Sequence, residues 1–232
     1  MAEERRGILV VDVGGRNVKC WCSGEAERRK APSGPAMTPE AMVAAVKGLA
    51  QGWRYDAVTV GVPGPVSGNR LAVNPVNLGP GWVGFDIEGA FGVPTRVIND
   101  AAMQALGSYA GGRMLFLGLG TGLGNTLVVD GVVVAMELGH LPYKDGRSFE
   151  DHVGQRGLDR LGRKAWQKAV RDVVGRLKAA LVADYVVIGG GNAKLLDSLP
   201  EGCRAGDNSL AYQGGLRLWD GPAVMAAPAE AA

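Results

Sequence analysis

The sequence predicts an α/β protein built as two related halves with mixed sheets, and three observations lead there. Two glycine-rich turns, each set between apolar strands, recur about a hundred residues apart. The first lies in 8–19 around Gly14-Gly15, the second in 114–129 around Gly120-Thr121-Gly122-Leu-Gly124. Apolar runs of strand length alternate with helical patterns, yet each half opens on a hairpin, so antiparallel and parallel pairs must share a sheet. A chain of 232 residues fits two small lobes or one large α/β unit.

The elements follow in order. The first hairpin covers roughly 7–24, its glycines expected to supply positive φ and close backbone approach. An Arg/Lys/Pro/Gly-rich connection leads to Thr38-Pro39-Glu40, where Thr38 caps a helix and Pro39 occupies a first-turn position that loses no hydrogen bond. Residues 57–61 read as a buried strand ending at Gly61-Val-Pro-Gly64, and 65–91 as a long loop of the kind that carries binding groups. A strand over 95–98 delivers Asn99-Asp100 to the start of a small-residue helix, and Gly111-Gly112 reads as a hinge. After the second hairpin come a strand over 132–135, the Glu137-Leu-Gly-His140 segment, and a helix opened by Ser148-Phe-Glu-Asp151 that continues with breaks to about residue 183. A strand over 185–188 closes on Gly189-Gly190-Gly191-Asn192, and a last helix covers 207–219. The expected lobes are 1–110 and 111–206, the closing helix being a candidate to return to the first, with 221–232 a low-complexity tail.

Hydrophobic content of 47% with 21% charged residues is that of a globular protein, and the strands are too short and glycine-broken to span a bilayer. No apolar signal core precedes the first strand, so a cytoplasmic protein without membrane association is expected. Cys20, Cys22 and Cys203 read as ordinary thiols. A net charge of +2 argues against nonspecific nucleic-acid binding.

Four groups of residues invite chemistry. Asp12 ends a buried strand beside Gly14-Gly15, where a carboxylate either closes the turn or meets a cation such as hydrated Mg²⁺ on a phosphate. Asp100, at a strand's C-terminal end, either caps the following helix or faces the edge where α/β folds place ligands. Glu137 and His140 either suit adjacent sugar hydroxyls or form a satisfied surface pair, and a zinc site is disfavoured because no four-ligand set forms locally. Arg156, Arg160, Arg163, Lys164, Lys168 and Arg171 share one side of a helix, either as a solvated face or as a guide for a long polyanion. The literal G-x-G-x-x-G at Gly79–Gly84 holds a proline and follows no strand, and no P-loop pattern occurs.

In this order, Asp12-Val-Gly-Gly, Gly61-Val-Pro-Gly64, Asn99-Asp100-Ala101, Gly120-Thr-Gly-Leu-Gly124, Glu137-Leu-Gly-His140 and Gly189-Gly-Gly-Asn192 resemble the ROK sugar kinases over nearly the whole chain. Glu137–Tyr143, Phe149-Glu-Asp151, Lys164-Ala-Trp166 and 185–194 look most like the short polyphosphate glucokinases. The resemblance implies an actin-like ATPase fold (ribonuclease H-like, duplicated) of two lobes with a central cleft, and phosphoryl transfer from polyphosphate, ATP or both to the 6-hydroxyl of glucose. It implies Asp100 as general base, with Asn99, Asp100, Glu137, His140 and Glu150 on the sugar and Asp12 positioning Mg²⁺. Gly14, Gly15, Arg16, Asn17 and Lys19, Gly120, Thr121, Gly122 and Gly124, and Gly190 and Gly191 are implied on the donor phosphates. A homodimer is implied as well, with Trp166 and Trp219 either at the contact or in the core.

Three departures bear on function. The cysteine-rich zinc motif of many ROK members is missing, so His140 is expected to be free of zinc. The first strand begins near Ile8, so the N-terminal winged helix of the ROK repressors is not expected. Arg16 stands where the family usually has Thr or Ser, a long cation that either strengthens polyanion binding or blocks the donor site. Two alternatives to the glucokinase therefore stand: a sugar- or polyphosphate-binding protein that has lost catalysis, and a kinase for another hexose or an amino sugar.

Overall fold

The computed structural model describes residues 7–207 and 209–220, which divide into a unit of 7–103 with 211–220 and a unit of 104–207 with 209–210. The N-terminal residues 1–6, read for a signal, and the 221–232 tail lie outside the described residues.

The first unit is built on a five-stranded sheet. Its hairpin joins β1 (Ile8–Val13) to β2 (Asn17–Cys22), with Asp12 opposite Lys19 and Val13 opposite Val18. A further strand, β3 (Arg28–Pro32), pairs antiparallel with β2 where the sequence suggests only a connection. Its residues, Arg-Arg-Lys-Ala-Pro, lack apolar alternation because β3 is an edge that takes its register from β2. β4 (Ala57–Val62), buried throughout, and β7 (Thr95–Asn99) extend the sheet in parallel on the other side of β1, giving the order β3-β2-β1-β4-β7. Helix α1 (Pro39–Leu49) is capped as expected, Thr38 Oγ1 accepting the Ala41 N–H. The 65–91 stretch carries a small hairpin, β5 (Val66–Ser67) with β6 (Arg70–Leu71), and the short helix α2 (Ile87–Phe91). Cys20 and Cys22 are buried free thiols of this core.

The second unit repeats the plan. β8 (Arg113–Leu119), β9 (Leu123–Val129) and β10 (Val132–Ala135) form an antiparallel meander, and β11 (Tyr185–Gly189) and β12 (Cys203–Ala205) run parallel to β8. The order β10-β9-β8-β11-β12 matches that of the first sheet strand for strand. Duplication of three antiparallel and two parallel-added strands is the mixed architecture the paired hairpins predict. The strand β12 is three residues long with an exposed pair, too brief to read from sequence.

Between the sheets' sequences runs α3 (Asp100–Ser108), within which the division of units falls. In the second unit Ser148 and Asp151 exchange hydrogen bonds as a capping box ahead of α4 (Glu150–Val153). The long α5 (Gln155–Ala180) follows, and its core face carries Trp166, Val170, Val173, Val174 and Leu177. Gly162 breaks its helical geometry with φ 74°, so the six basic residues do not form one continuous stripe. Arg156 and Arg160 precede the break, and the other four follow it. The last helix, α6 (Leu210–Arg217), belongs to the first unit: a Cβ on Gly215 would meet Val10, and Thr59, fully buried, donates Oγ1–H to the Gly215 carbonyl. Trp219 Nε1–H donates to the same Thr59 oxygen, and Trp166 Nε1–H donates to Val153, so both tryptophans serve their own units' interiors. No described helix is long and apolar enough to cross a membrane.

Candidate active site

Parallel β1, β4 and β7 end together in the first unit, which brings Asp12, Gly61–Gly64 and Asn99-Asp100 to one edge of the sheet. Asn99, not Asp100, caps α3: its Oδ1 accepts the Ala102 N–H at 3.1 Å, and its Nδ2–H donates to the Gly64 carbonyl at 3.0 Å. One lone pair and one N–H of the amide remain for a ligand. Asp100 is thereby left for chemistry, its carboxylate accepting the adjacent Ala101 N–H on Oδ1 at 2.8 Å and its own backbone N–H. Burial pushes its carboxyl up to about 6; the Ala101 N–H opposes this, the Asp12 charge adds to it, and its own N–H and Lys19 oppose it. Desolvation of the charged form is the dominant cause.

The cation beside Asp12 is Lys19, its cross-strand neighbour, with Nζ 2.9 Å from Asp12 Oδ2. The first turn is closed by the Gly14 N–H donating to Asn17 O. Neither Gly14 nor Gly15 adopts positive φ, and the same holds for Gly120, Gly122 and Gly124. The expectation of left-handed turn glycines is thus corrected. Two of the positions require space instead: a Cβ on Gly15 would stand 2.9 Å from Asn77 Cβ, and one on Gly122 2.1 Å from Glu150 Oε2. Arg16 is exposed at the turn, and its guanidinium has no hydrogen-bond or ion-pair partner among the described residues.

In the second unit the residues converge on Leu123. Glu150 Oε2 accepts its N–H at 3.1 Å, and Asn125 Nδ2–H donates to its carbonyl at 3.0 Å. Asn125, buried, also accepts the Leu138 N–H on Oδ1 at 3.1 Å, tying the Gly120–Gly124 turn to the 3-10 turn Leu138–His140. A Cβ on Gly139 would lie 3.2 Å from Leu123 O, so this glycine admits the protein's own hairpin rather than a ligand. Glu137 and His140 flank it, both exposed. Beyond them Tyr143 donates its hydroxyl to Asp172 of α5, which, with Lys144 and Arg176 adding to it, holds the Asp172 carboxyl down at about 2. The Gly190 turn joins the same cluster: Gly190, at φ 85°, leaves no room for a Cβ against Leu119 O, and Asn192 donates Nδ2–H to Gly120 O. Thr121 is exposed and, like Gly120, accepts the Gln155 N–H at the start of α5 on its carbonyl.

Of the basic residues on α5, Arg156 and Arg160 reach Asp151, Arg163 reaches Asp197 and Leu195 O, and Arg171 reaches Ser198. These four arginines have protein partners, whereas exposed Lys164 and Lys168 have no hydrogen-bond or ion-pair partner among the described residues. Asn77 packs against Gly15 in the first unit, and Asn125 and Gln155 bond to the Gly120–Gly124 turn in the second, without standing out in the sequence; a lone amide inside the apolar run 123–129 is the signal that points to Asn125. No group of three or more His, Cys, Asp or Glu residues is assembled for metal among the described residues. Asp12 nonetheless offers a hard oxygen donor at this edge, of the kind that holds Mg²⁺ through one carboxylate plus substrate phosphates.

The family model of the ROK family matches residues 8–158. The N-acetylmannosamine kinase of Salmonella paratyphi A is 31% identical over 154 residues, covering 57% of this chain and 53% of that protein, so the chain spans about half the length of the curated relatives it matches. The inorganic polyphosphate/ATP-glucomannokinase of Arthrobacter sp. strain KM aligns with TM-score 0.75 and 22% identity over 93% of this chain and 99% of that one. A ROK family glucokinase from Streptomyces griseus, in complex with glucose and AMPPNP, aligns with TM-score 0.69 and 17% identity over 91% and 98%. At such identities these structures establish the fold, that of the actin-like ATPases. The matched family model together with the ordered motifs shows that this chain belongs to the ROK family.

Proposed function

We propose that the protein is a glucokinase that transfers a phosphoryl group from polyphosphate, ATP or both to the 6-hydroxyl of glucose, with Asp100 as general base. The observation that carries this reading is Asp100 itself, freed from helix capping by Asn99 and shifted toward neutrality, where a base combines ionisation with proton affinity. Phosphoryl transfer asks chiefly for positioning and charge stabilisation, with one group to orient the nucleophile. Asn99, Glu137, His140 and Glu150 are assigned to the sugar. The Gly14–Asn17 and Gly120–Gly124 turns, Lys19 and Gly190-Gly191 are assigned to the donor. Asp12 would position Mg²⁺, which when bound neutralises charge on the transferred phosphate, and Asp100 stays free to take the hydroxyl proton. Lys19 then exchanges Asp12 for a donor oxygen.

Formation of glucose 6-phosphate, followed separately with polyphosphate and with ATP, tests the reading. Turnover with at least one donor is expected, and none on glucose or mannose with either donor overturns it. The likeness to an N-acetylmannosamine kinase favours a second reading in which the acceptor is an amino sugar, and including N-acetylmannosamine in the same assay separates the two. The unpartnered Arg16 favours a third, binding without catalysis; it predicts stabilisation by ligand without turnover, and activity gained in Arg16→Thr.

A further inference from the structure

Edge strand β3 carries charge that the fold does not explain. In the register of the first sheet Asp12 stands opposite Lys19, and Lys19 opposite Lys30. Residues opposite one another project from the same face. The three side chains therefore form one row across β1, β2 and β3, with neighbouring strands about 5 Å apart. Like charges directly opposite destabilise a sheet, and the Lys19–Lys30 pair has just this arrangement. Lys19 is partly compensated by Asp12, whereas exposed Lys30 has no hydrogen-bond or ion-pair partner among the described residues.

Two more cations border the row. Arg28, two residues from Lys30 and on the same face, lies over the Tyr212 ring at 4.7 Å. The Arg16 carbonyl accepts the Ser33 N–H, which sets this residue at the end of β3. The acidic residue closest in sequence on the edge, Glu27, is engaged by Arg29 at 3.2 Å. The cations thus lead outward from the carboxylate at the inner end of the row, and the row is open at its outer end. An anion seated at Lys19 is continued by Lys30 if it is a chain of phosphates. A nucleotide has three phosphates and then a nucleoside, for which further ammonium groups offer nothing.

We propose that Lys30, continuing from Arg16 and Lys19, is a subsite for the distal phosphates of an inorganic polyphosphate donor, and that ATP does not use it. The proposal deepens the kinase reading and rests on its assignment of Lys19 to the donor. It differs from a polyanion path along α5, whose arginines already have protein partners.

The test is Lys30→Gln in the full chain, with Lys30→Arg beside it, read as direct binding of long-chain polyphosphate and of ATP and as KM for each donor. Lys30→Gln is expected to weaken polyphosphate binding about tenfold, the size of one lost charge-assisted hydrogen bond, and to leave ATP binding and kcat unchanged. Lys30→Arg is expected to retain polyphosphate affinity. A lysine that serves only to keep the β3 edge from pairing with another sheet gives equal polyphosphate affinity in Lys30→Gln, and that result overturns the proposal. So does an equal loss for both donors, or a wild-type protein that does not bind polyphosphate. If Lys30→Gln loses polyphosphate binding while the wild type turns over no sugar with any donor, the subsite stands and the kinase reading fails.

Discussion

Glu150 Oε2 occupies the space in which Gly122 would place a Cβ, 2.1 Å from that position, while accepting the Leu123 N–H at 3.1 Å. The glycine is therefore a packing requirement of the carboxylate. At Gly120, two residues earlier in the same turn, a Cβ would meet nothing within 4 Å and the backbone is not left-handed.

Gly122→Ala should displace Glu150 and break its bond to Leu123, costing about 1–3 kcal/mol of stability as overpacking does. Gly120→Ala should cost under about 1 kcal/mol, the range of a surface substitution. Urea unfolding of the two variants compares them directly. Similar losses in both would show that Glu150 moves aside freely.

Asp100→Asn should abolish turnover and leave glucose binding largely intact, since the amide keeps the shape and loses the base. In the wild type kcat/KM should rise with pH through about 6, as Asp100 must be ionised to take the proton. Stability carries the opposite sign. A carboxyl raised from 3.8 to about 6 in the folded state binds more protons folded than unfolded in that window, so stability falls as pH rises through it. Asp100→Asn should thus melt at the same or higher temperature than wild type at pH 8. A lower melting temperature would mean that the ionised carboxylate is a net structural support.

The two hairpins and their repeat are legible because apolar alternation and glycine turns are local signals. The buried strands β4 and β11 announce themselves as apolar runs between breakers. Strand β3 does not, since Arg28 to Pro32 owes its conformation to pairing with β2 rather than to its own side chains. The turn glycines are visible as a pattern, but their reason is not: Gly15 and Gly122 make room for Asn77 and Glu150, which are distant in sequence. Asp100 and Asn99 show the same limit. Sequence places both at a helix start, and only the hydrogen bonds tell which one caps.

Thr59 joins α6 to the sheet of the first unit, donating to Gly215 O at 2.7 Å and accepting from Trp219 Nε1 at 2.9 Å. Thr59→Val keeps the volume and strands a buried carbonyl and an indole N–H. A loss of about 2–4 kcal/mol is expected, each unsatisfied group costing about 1–3 kcal/mol. Chemical denaturation measures the loss, and amide exchange in 211–218 should rise with it. Unchanged exchange there would show that packing of Gly215 on Val10 suffices to hold the helix.

Among the described residues, Asn125 is the one side chain that bonds both to the Gly120–Gly124 hairpin and to the turn bearing Glu137 and His140, through Leu123 O and the Leu138 N–H. Asn125→Ala leaves both groups buried without partners and releases the 3-10 turn. If Glu137 and His140 hold the acceptor sugar, KM for the sugar should rise about tenfold or more, while KM for the donor and kcat at saturation change little, since a displaced sugar ligand weakens uniform binding. Asn125→Asp tests the direction of each bond. It keeps the acceptor for Leu138 N–H but sets a carboxylate oxygen against Leu123 O, so it should be the less stable of the two variants and show the same KM bias. Equal effects on both donors and on the sugar would assign Asn125 to the hairpin's stability alone.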